Sequence, residues 1–379
     1  MSASVIRVLH IARYRASSME RKLELMAAQP GLAFWLVRPT VWQDEYGKIT
    51  VNPVVPGCSV LRVPMWGRAN DPHRALYRTL TFGMRAIQPH IIHAEEEPDS
   101  LAALQIILAR RWFAPRAKLI LHTWQNIHRP QKWYVRLVAR IALREADAIL
   151  CASQGAVRVL RGMGYQGPAE VIPPLGVDTR IFRPMERRTD PTTFRVAYAG
   201  RFVPEKGLDV LLQAVALLGS GVELWLIGEG PQRAALQALA RDLGIGERVR
   251  WIPPLAPEQM PKILAQVDVI VLPSRTTRVW KEQFGRILVE AMACGVPVVG
   301  SDSGAIPEVV GEAGLIFPEG DAQALADCLE RLRRFPDLWA EYRTKGLERA
   351  RLYSQETVAA RTVDVYRGQW ANLFWASSG

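Results

Sequence analysis

Residues 195–231 read RVAYAGRFVPEKGLDVLLQAVALLGSGVELWLIGEGP. Arg195–Ala199 is a short apolar run, Leu208–Leu218 has helical spacing, Glu223–Ile227 is a second run, and Pro231–Leu243 opens another helix. Short apolar runs alternating with amphipathic helices indicate parallel βαβ units, because a parallel strand is covered by helices on both faces. The pattern continues to the C-terminal side. Val249–Ile252, Val269–Leu272, Val298–Gly300 and Leu315–Phe317 are further strands, with helices at Pro257–Gln266 and Gly285–Cys294.

The same alternation fills the first half. Val5–His10, Ala33–Val37, Ile91–Ile92, Leu119–Leu121 and Ala148–Cys151 are apolar runs, and Ser17–Ala28 is spaced as a helix. Between the halves, residues 173–192 are rich in Pro, Arg and Asp and lack periodicity, as a linker does. The chain therefore divides into two doubly wound, Rossmann-like α/β domains: residues 1–175, a linker at 176–192, and residues 193–353. A helical tail, 354–379, is expected to return to the first domain. Sheets of this kind bind ligands outside the carboxyl ends of their strands, so a cleft between the two domains is the expected site.

Composition supports this plan. A chain of 379 residues exceeds one ordinary core, and 49% apolar with 22% charged residues is usual for a globular protein. No apolar run approaches the roughly 18 residues of a membrane span. The opening MSASVIRVLHIARYR has neither the basic leader nor the cleavage site of a signal peptide. Cys58, Cys151, Cys294 and Cys328 form no CxxC pair, and free thiols fit a reducing, cytoplasmic setting. These features exclude a disulfide scaffold, an integral membrane protein, a disordered chain and a Cys-ligated zinc module. The charge is uneven. Residues 1–175 carry 23 Lys and Arg against 12 Asp and Glu, and residues 176–379 carry 25 of each. The excess points to an anionic partner for the first half, such as a membrane surface. Arg129, Lys132, Trp133, Arg136, Arg140 and Arg144 form a basic aromatic stretch there. No recognised motif accompanies it, so nucleic acid is not expected.

Five segments carry chemistry. In EQFGRILVEAMACG, Glu282 precedes a helix starting at Gly285, Glu290 lies inside it, and Gly295 and Pro297 end it. The unpaired N–H groups at such a helix start form an anion pocket. Arg201 and Lys206 lie in one strand–helix loop, where two cations suit a diphosphate. Gly228 and Gly230 let a ligand approach the backbone at the next strand end. In the first half, His122 ends one strand, and Glu95, Glu96 and Glu97 end another. Such packed acids must be solvated, bind hydroxyls or bind a cation. The six histidines make no HxH or HxxxH pair, so no metal site is expected.

The set GRFVPEKG, IGEGP, VIVLPS, EQFGRILVEAMACGVPVVGSDSGAIPEVV and GLIFPEGD, spanning most of residues 195–330, resembles the nucleotide-sugar domain of the retaining glycosyltransferases of family four, which have the two-domain GT-B architecture. HAEEEP, LHT and IPPLGVD extend the likeness into the first half. The resemblance implies hexosyl transfer from a nucleotide-diphosphate sugar to a carbohydrate, lipid-linked or small-molecule acceptor, in glycolipid, polysaccharide or other glycoconjugate synthesis. It implies no resident cofactor or essential metal. On the positions that match, Arg201 and Lys206 hold the diphosphate and Glu290 the ribose hydroxyls. Glu282 holds the donor sugar, the Phe284 and Gly285 amides lie near sugar and phosphate, and His122 reaches the donor. Where the family has a Gly-Gly loop this chain reads Ala12-Arg13-Tyr14-Arg15-Ala16-Ser17-Ser18, and the family's second HxH histidine is Glu95 here. Arg13, Tyr14, Glu95 and Trp124 are accordingly the acceptor-side candidates. Two other functions compete: a nucleotide-sugar epimerase on the same fold, and a non-enzymatic protein binding an anionic polymer or membrane.

Overall fold

The computed structural model describes residues 5–13, 20–44, 47–69, 71, 73–187 and 192–368. Tyr14, part of the 176–192 linker and the last residues of the tail lie outside them. The chain forms two compact units, one of residues 1–176 with 355–379, the other of residues 177–354. None of the described helices is long and apolar enough to cross a membrane.

The first unit runs β1 (Ile6–Ile11), α1 (Glu20–Ala27), β2 (Leu32–Pro39), β3 (Val41–Asp44), β4 (Gly47–Thr50), β5 (Ser59–Val63), β6 (Met65–Trp66), β7 (Leu76–Tyr77), α2 (Leu80–Ile87), β8 (Ile91–Ala94), α3 (Leu101–Phe113), β9 (Lys118–Thr123), α4 (Trp133–Glu145), β10 (Ala148–Cys151), α5 (Gln154–Gly162) and β11 (Ala169–Val171). Seven strands form a parallel sheet in the order β11-β10-β9-β8-β1-β2-β5. All four residues of β10 are buried, the reason it reads as an unbroken apolar run, and β8 is wholly buried too although His93 interrupts its apolar residues. One face packs on α2 to α5 through Met84, Ile106, Ile107, Ala142 and Leu160. The other packs on α1 and a last helix, α13 (Gln355–Tyr366), through Leu23, Met26, Ala359 and Val363. Ser100 and Ser153 start α3 and α5 by accepting from the amides of Ala103 and Ala156.

The second unit runs β12 (Phe194–Ala199), α6 (Leu208–Leu217), β13 (Val222–Ile227), α7 (Arg233–Asp242), β14 (Val249–Ile252), α8 (Met260–Leu264), β15 (Val269–Leu272), α9 (Arg286–Ala293), β16 (Val298–Ser301), α10 (Ile306–Val310), β17 (Gly314–Phe317), α11 (Ala322–Arg334) and α12 (Pro336–Leu352). Its six parallel strands lie in the order β14-β13-β12-β15-β16-β17. Both sheets are thus doubly wound, with the strand order reversing beside the first strand. The crevices at the carboxyl ends of β12/β15 and of β1/β8 are the switch points where such sheets bind ligands.

Element bounds move for local reasons. Helix α8 is shorter than the Pro257–Gln266 pattern because Pro261 sits in its first turn. Helix α7 starts at Arg233 rather than Pro231, since the Gln232 amide donates to the Phe202 carbonyl (3.1 Å). The antiparallel pair β3–β4 carries no apolar run and was not anticipated.

Candidate functional site

In the second unit, the loops after β12 and β15 flank the switch point. Lys206 lies in a helical turn, Pro204–Lys206, just before α6. Its Nζ donates to Glu282 Oε2 (2.6 Å), and Ser274 Oγ donates to the same oxygen (2.8 Å). Glu282 is buried, and its carbonyl accepts from the Ala305 amide (2.9 Å). The Glu282 carboxylate therefore ties the loop after β12 to the loop after β15, and its backbone carbonyl adds the loop after β16. The Lys206 ammonium also lies 4.8 Å from the Trp280 ring centroid. Trp280 is held by a turn in which the Thr277 amide donates to the Trp280 carbonyl (2.8 Å). Beside it, Thr276 bonds to Glu319 through both its amide and its hydroxyl.

Helix α9 starts at Gly285, whose φ of +78° favours glycine. No side chain caps this start, so its first amides point outward as an anion site does. Glu290 lies one turn in. It is buried and accepts from Arg286 Nε (2.9 Å), yet burial outweighs Arg286 and pushes its carboxyl above the ordinary range. The Phe284 ring is buried edge-on against Tyr353 (5.5 Å), which leaves only its backbone for a ligand. Arg201 is exposed, and its carbonyl accepts from Tyr198 Oη (2.8 Å). At Gly230 a Cβ would run into the backbone of Phe202, so loop-on-loop packing by itself requires glycine there. Ser274, Trp280 and Arg286 join this site without having been singled out. VIVLPS contains Ser274, but no spacing rule marks the other two.

The first unit's switch point is filled differently. Lys22 of α1 donates to Glu95 Oε1 (2.5 Å) and to the Pro174 carbonyl (3.0 Å). His10 Nε2 lies 3.2 Å from the same Glu95 oxygen. His93 Nδ1 and His10 Nδ1 lie 2.6 and 3.4 Å from Tyr366 Oη of α13. His122 stacks between His93 and Trp124, and among the described residues neither of its ring nitrogens has a partner within good hydrogen-bond geometry. Burial pushes its pKa down to about 4, against the nearby Glu95. Burial also lowers His10 and His93. Burial raises Glu95, but Lys22 and His10 outweigh it and hold the carboxyl well below its usual range.

Of the three alternatives for these acids (solvation, hydroxyls or a cation), Glu95 and Glu96 take a cationic side chain and Glu97 takes a hydroxyl. Glu95 takes Lys22. Glu96 pairs with Arg13 and accepts from Tyr77 Oη (2.9 Å). Glu97 accepts from Thr123 Oγ1 (2.6 Å) and the Trp124 amide (2.7 Å), and burial pushes it up to about 7. Arg13 further donates to the carbonyls of Ala69 (3.0 Å) and Asp71 (2.7 Å), so this acceptor-side candidate is held within the fold. Tyr14 lies outside the described residues. His10, His93 and Glu95 bring potential metal ligands within 4.8 Å of one another, a grouping that strand pairing creates and sequence spacing hides. Lys22 supplies the positive charge there.

Comparisons with known proteins identify the family. A model of the group 1 glycosyl transferases matches residues 182–349, and one of the glycosyl transferase 4-like domain matches residues 23–175. A GDP-mannose-dependent α-(1-6)-phosphatidylinositol monomannoside mannosyltransferase of Mycolicibacterium smegmatis is 34% identical over 256 residues, 59% of this chain and 67% of that protein. The chain belongs to the family-four, group 1 glycosyltransferases. Another family member, the MMP α-(1→4)-mannosyltransferase of Mycolicibacterium hassiacum, is 34% identical over 62% of this chain and 58% of its own length. The chain spans about half the length of the first curated relatives it matches. The sucrose-phosphate synthase structure from Thermosynechococcus elongatus shares the GT-B fold of this family. It has a TM-score of 0.72 at 22% identity, covering 96% of this chain and 98% of that one.

Proposed function

We propose that the chain transfers a hexosyl group from a nucleotide-diphosphate sugar to an acceptor hydroxyl in glycoconjugate synthesis, with retention at the anomeric carbon. The observation that carries this reading is the second unit's switch point. Lys206, Glu282, Ser274 and the uncapped start of α9 meet there on two adjoining loops. Arg201 and Lys206 supply positive charge for the leaving diphosphate, aided by the α9 amides. Negative charge grows on that group as the glycosidic bond breaks, so these cations favour the transition state over the ground state. That charge is the reason to expect no essential divalent cation. Glu282 takes donor-sugar hydroxyls and Glu290 the ribose hydroxyls. Arg286, paired with Glu290 (2.9 Å), offsets the carboxylate's charge beside the phosphate.

The M. smegmatis relative's name specifies GDP-mannose, which makes that the first donor to try. Its acceptor is a phosphatidylinositol lipid, and the first unit carries this chain's charge excess. We propose a lipid-linked acceptor and work at an anionic membrane surface. Thermal shift with GDP, UDP, ADP and dTDP and their common sugars tests the donor. Stabilisation by one base, weakened about tenfold or more in Glu290→Ala, is expected. No response to any nucleotide would sink the reading. Activity abolished by EDTA and restored by magnesium would remove the metal-independent part.

A further inference from the structure

From residue 100 to residue 144 the chain runs 45 residues with nine Lys and Arg and no Asp or Glu. This stretch builds α3, β9 and α4, and α3 lies between α2 and α4 on one face of the first unit's sheet. The outer surface of these helices is unusually apolar. Leu101, Leu108 and Trp112 of α3 are 40, 46 and 81% exposed, and Trp133, Tyr134 and Leu137 of α4 are 70, 48 and 49% exposed. These are six of the fifteen large apolar side chains exposed among the described residues. Scattered exposed apolar residues are ordinary, but a cluster of this kind marks an interaction surface.

The cluster borders a groove of about 430 Å³ lined by Leu76, Leu104, Leu108, Trp112 and Phe113. Gln105 also lines it, but its amide is already spent: Oε1 accepts from the Tyr77 amide (2.9 Å) and Nε2 donates to the Tyr77 carbonyl (2.6 Å). Thr81 is the other polar residue of the lining and the rest is apolar, so the groove suits a mainly apolar occupant. One helix away, Arg136, Arg140 and Arg144 form a stripe along α4. All three are exposed, and among the described residues none makes an ion pair, whereas Arg110 and Arg111 are tied to Glu145. A long apolar slot beside unpaired arginines and Trp side chains matches the acyl and phosphate layers of an anionic bilayer. Nucleic acid would use the arginines and leave the slot empty. A second copy meeting this face would oppose arginine to arginine.

We propose that the outer face of α2, α3 and α4 seats on an anionic bilayer, with one lipid acyl chain in the α2–α3 groove and lipid phosphates on Arg136, Arg140 and Arg144. This rests on the reading of the chain as an enzyme of an anionic surface, and names the element that enters the lipid. The test is co-sedimentation of the full chain with vesicles of phosphatidylcholine, alone or mixed with phosphatidylglycerol, across a salt series. The unaltered chain should pellet with the anionic vesicles only, and less at high salt. Arg136→Gln/Arg140→Gln/Arg144→Gln should weaken binding about a hundredfold, at roughly fivefold per charge removed. Leu108→Gln/Trp112→Gln, at exposed positions, should weaken it about tenfold with Tm and nucleotide-induced stabilisation unchanged. Full binding by this pair would overturn the groove while leaving the charged surface in place. No binding by the unaltered chain would overturn both, and the nucleotide response would still report separately on the donor site. Equal binding to neutral vesicles, or dimers on light scattering that either variant abolishes, would also overturn the proposal.

Discussion

The two units share a strand order and differ in what they place where it reverses. Beside β12 and β15, the second unit sets Lys206 against Glu282 with the start of α9 uncapped. Beside β1 and β8, the first unit fills the same topological position with His10, His93, Glu95 and Lys22, sealed by Tyr366. The side chains of Lys22 and Glu95 are 4 and 7% exposed, against 20 and 9% for Lys206 and Glu282. A salt bridge that water and ligand can reach is exchangeable; one closed over by protein is structural. The same topology thus carries a more exposed ion pair in one unit and a polar brace in the other.

The largest effect should come from breaking the brace. Lys22→Met leaves the Glu95 carboxylate buried with its nearest cation gone. That should cost about 3–5 kcal/mol in the first unit, read by urea unfolding. Thermal stabilisation by nucleotide, which reports on the second unit, should survive in the variant at low temperature. A loss below about 1 kcal/mol would mean that water already reaches Glu95, and the contrast between the units would collapse.

Lys206→Ala makes the matching test of the crevice. Removing one preorganised cation from a developing anion should lower turnover about 10²- to 10³-fold. Stability should change less than in Lys22→Met, because Ser274 still donates to Glu282 and water can reach the site. Near-normal turnover would take Lys206 away from the diphosphate.

How much of this was legible follows from what holds each feature together. The parallel strands were readable because burial on both faces makes an apolar run, as in Val269–Leu272, where all four residues are buried. The helix at Gly285 was readable because glycine and the residues after it carry its boundaries locally. The pair Lys206–Glu282 spans 76 residues, yet each partner sat in its own local motif. The brace had no such signal. Tyr366 meets His93 across 273 residues and His10 across 356, and only folding brings a terminal helix under β1 and β8. Glu95, Glu96 and Glu97 were readable as a cluster, but their partners Lys22 and Arg13 come from the other side of β1.

Acid should separate the units next. His122, held at about 4 against an ordinary 6.5, binds fewer protons folded than unfolded between those values. Its contribution is therefore lost as pH falls through that window and amounts to about 3 kcal/mol in full. His10 and His93, also lowered, act in the same direction. Glu97 opposes them. Pushed up from 4.5 to about 7, it holds a proton in the folded chain that the unfolded chain releases, so stability falls as pH rises through that window. Glu97→Gln keeps the side chain's shape and removes its titration. Urea midpoints should then fall more steeply from pH 6.5 toward 4.5 than in the unaltered chain. Parallel curves would show that Glu97 titrates normally, and that the buried acids do not offset the histidines.

The smallest expected effect sharpens the crevice side of the contrast. A cation 4.8 Å above an indole gains about 0.5–1 kcal/mol at a partly exposed site, so Trp280→Ala should lower kcat/KM only about two- to fivefold. The ring has two separable roles. If its face steadies the Lys206 ammonium, Trp280→Phe should recover most of the loss, since phenyl keeps the negative π-face, and nucleoside without phosphate should bind all three chains equally. If the indole only fills the turn closed by Thr277, the Phe and Ala variants should lose Tm together while kcat/KM stays level. In that case Lys206 would be positioned by Glu282 alone, and the exchangeable pair would stand without an aromatic support.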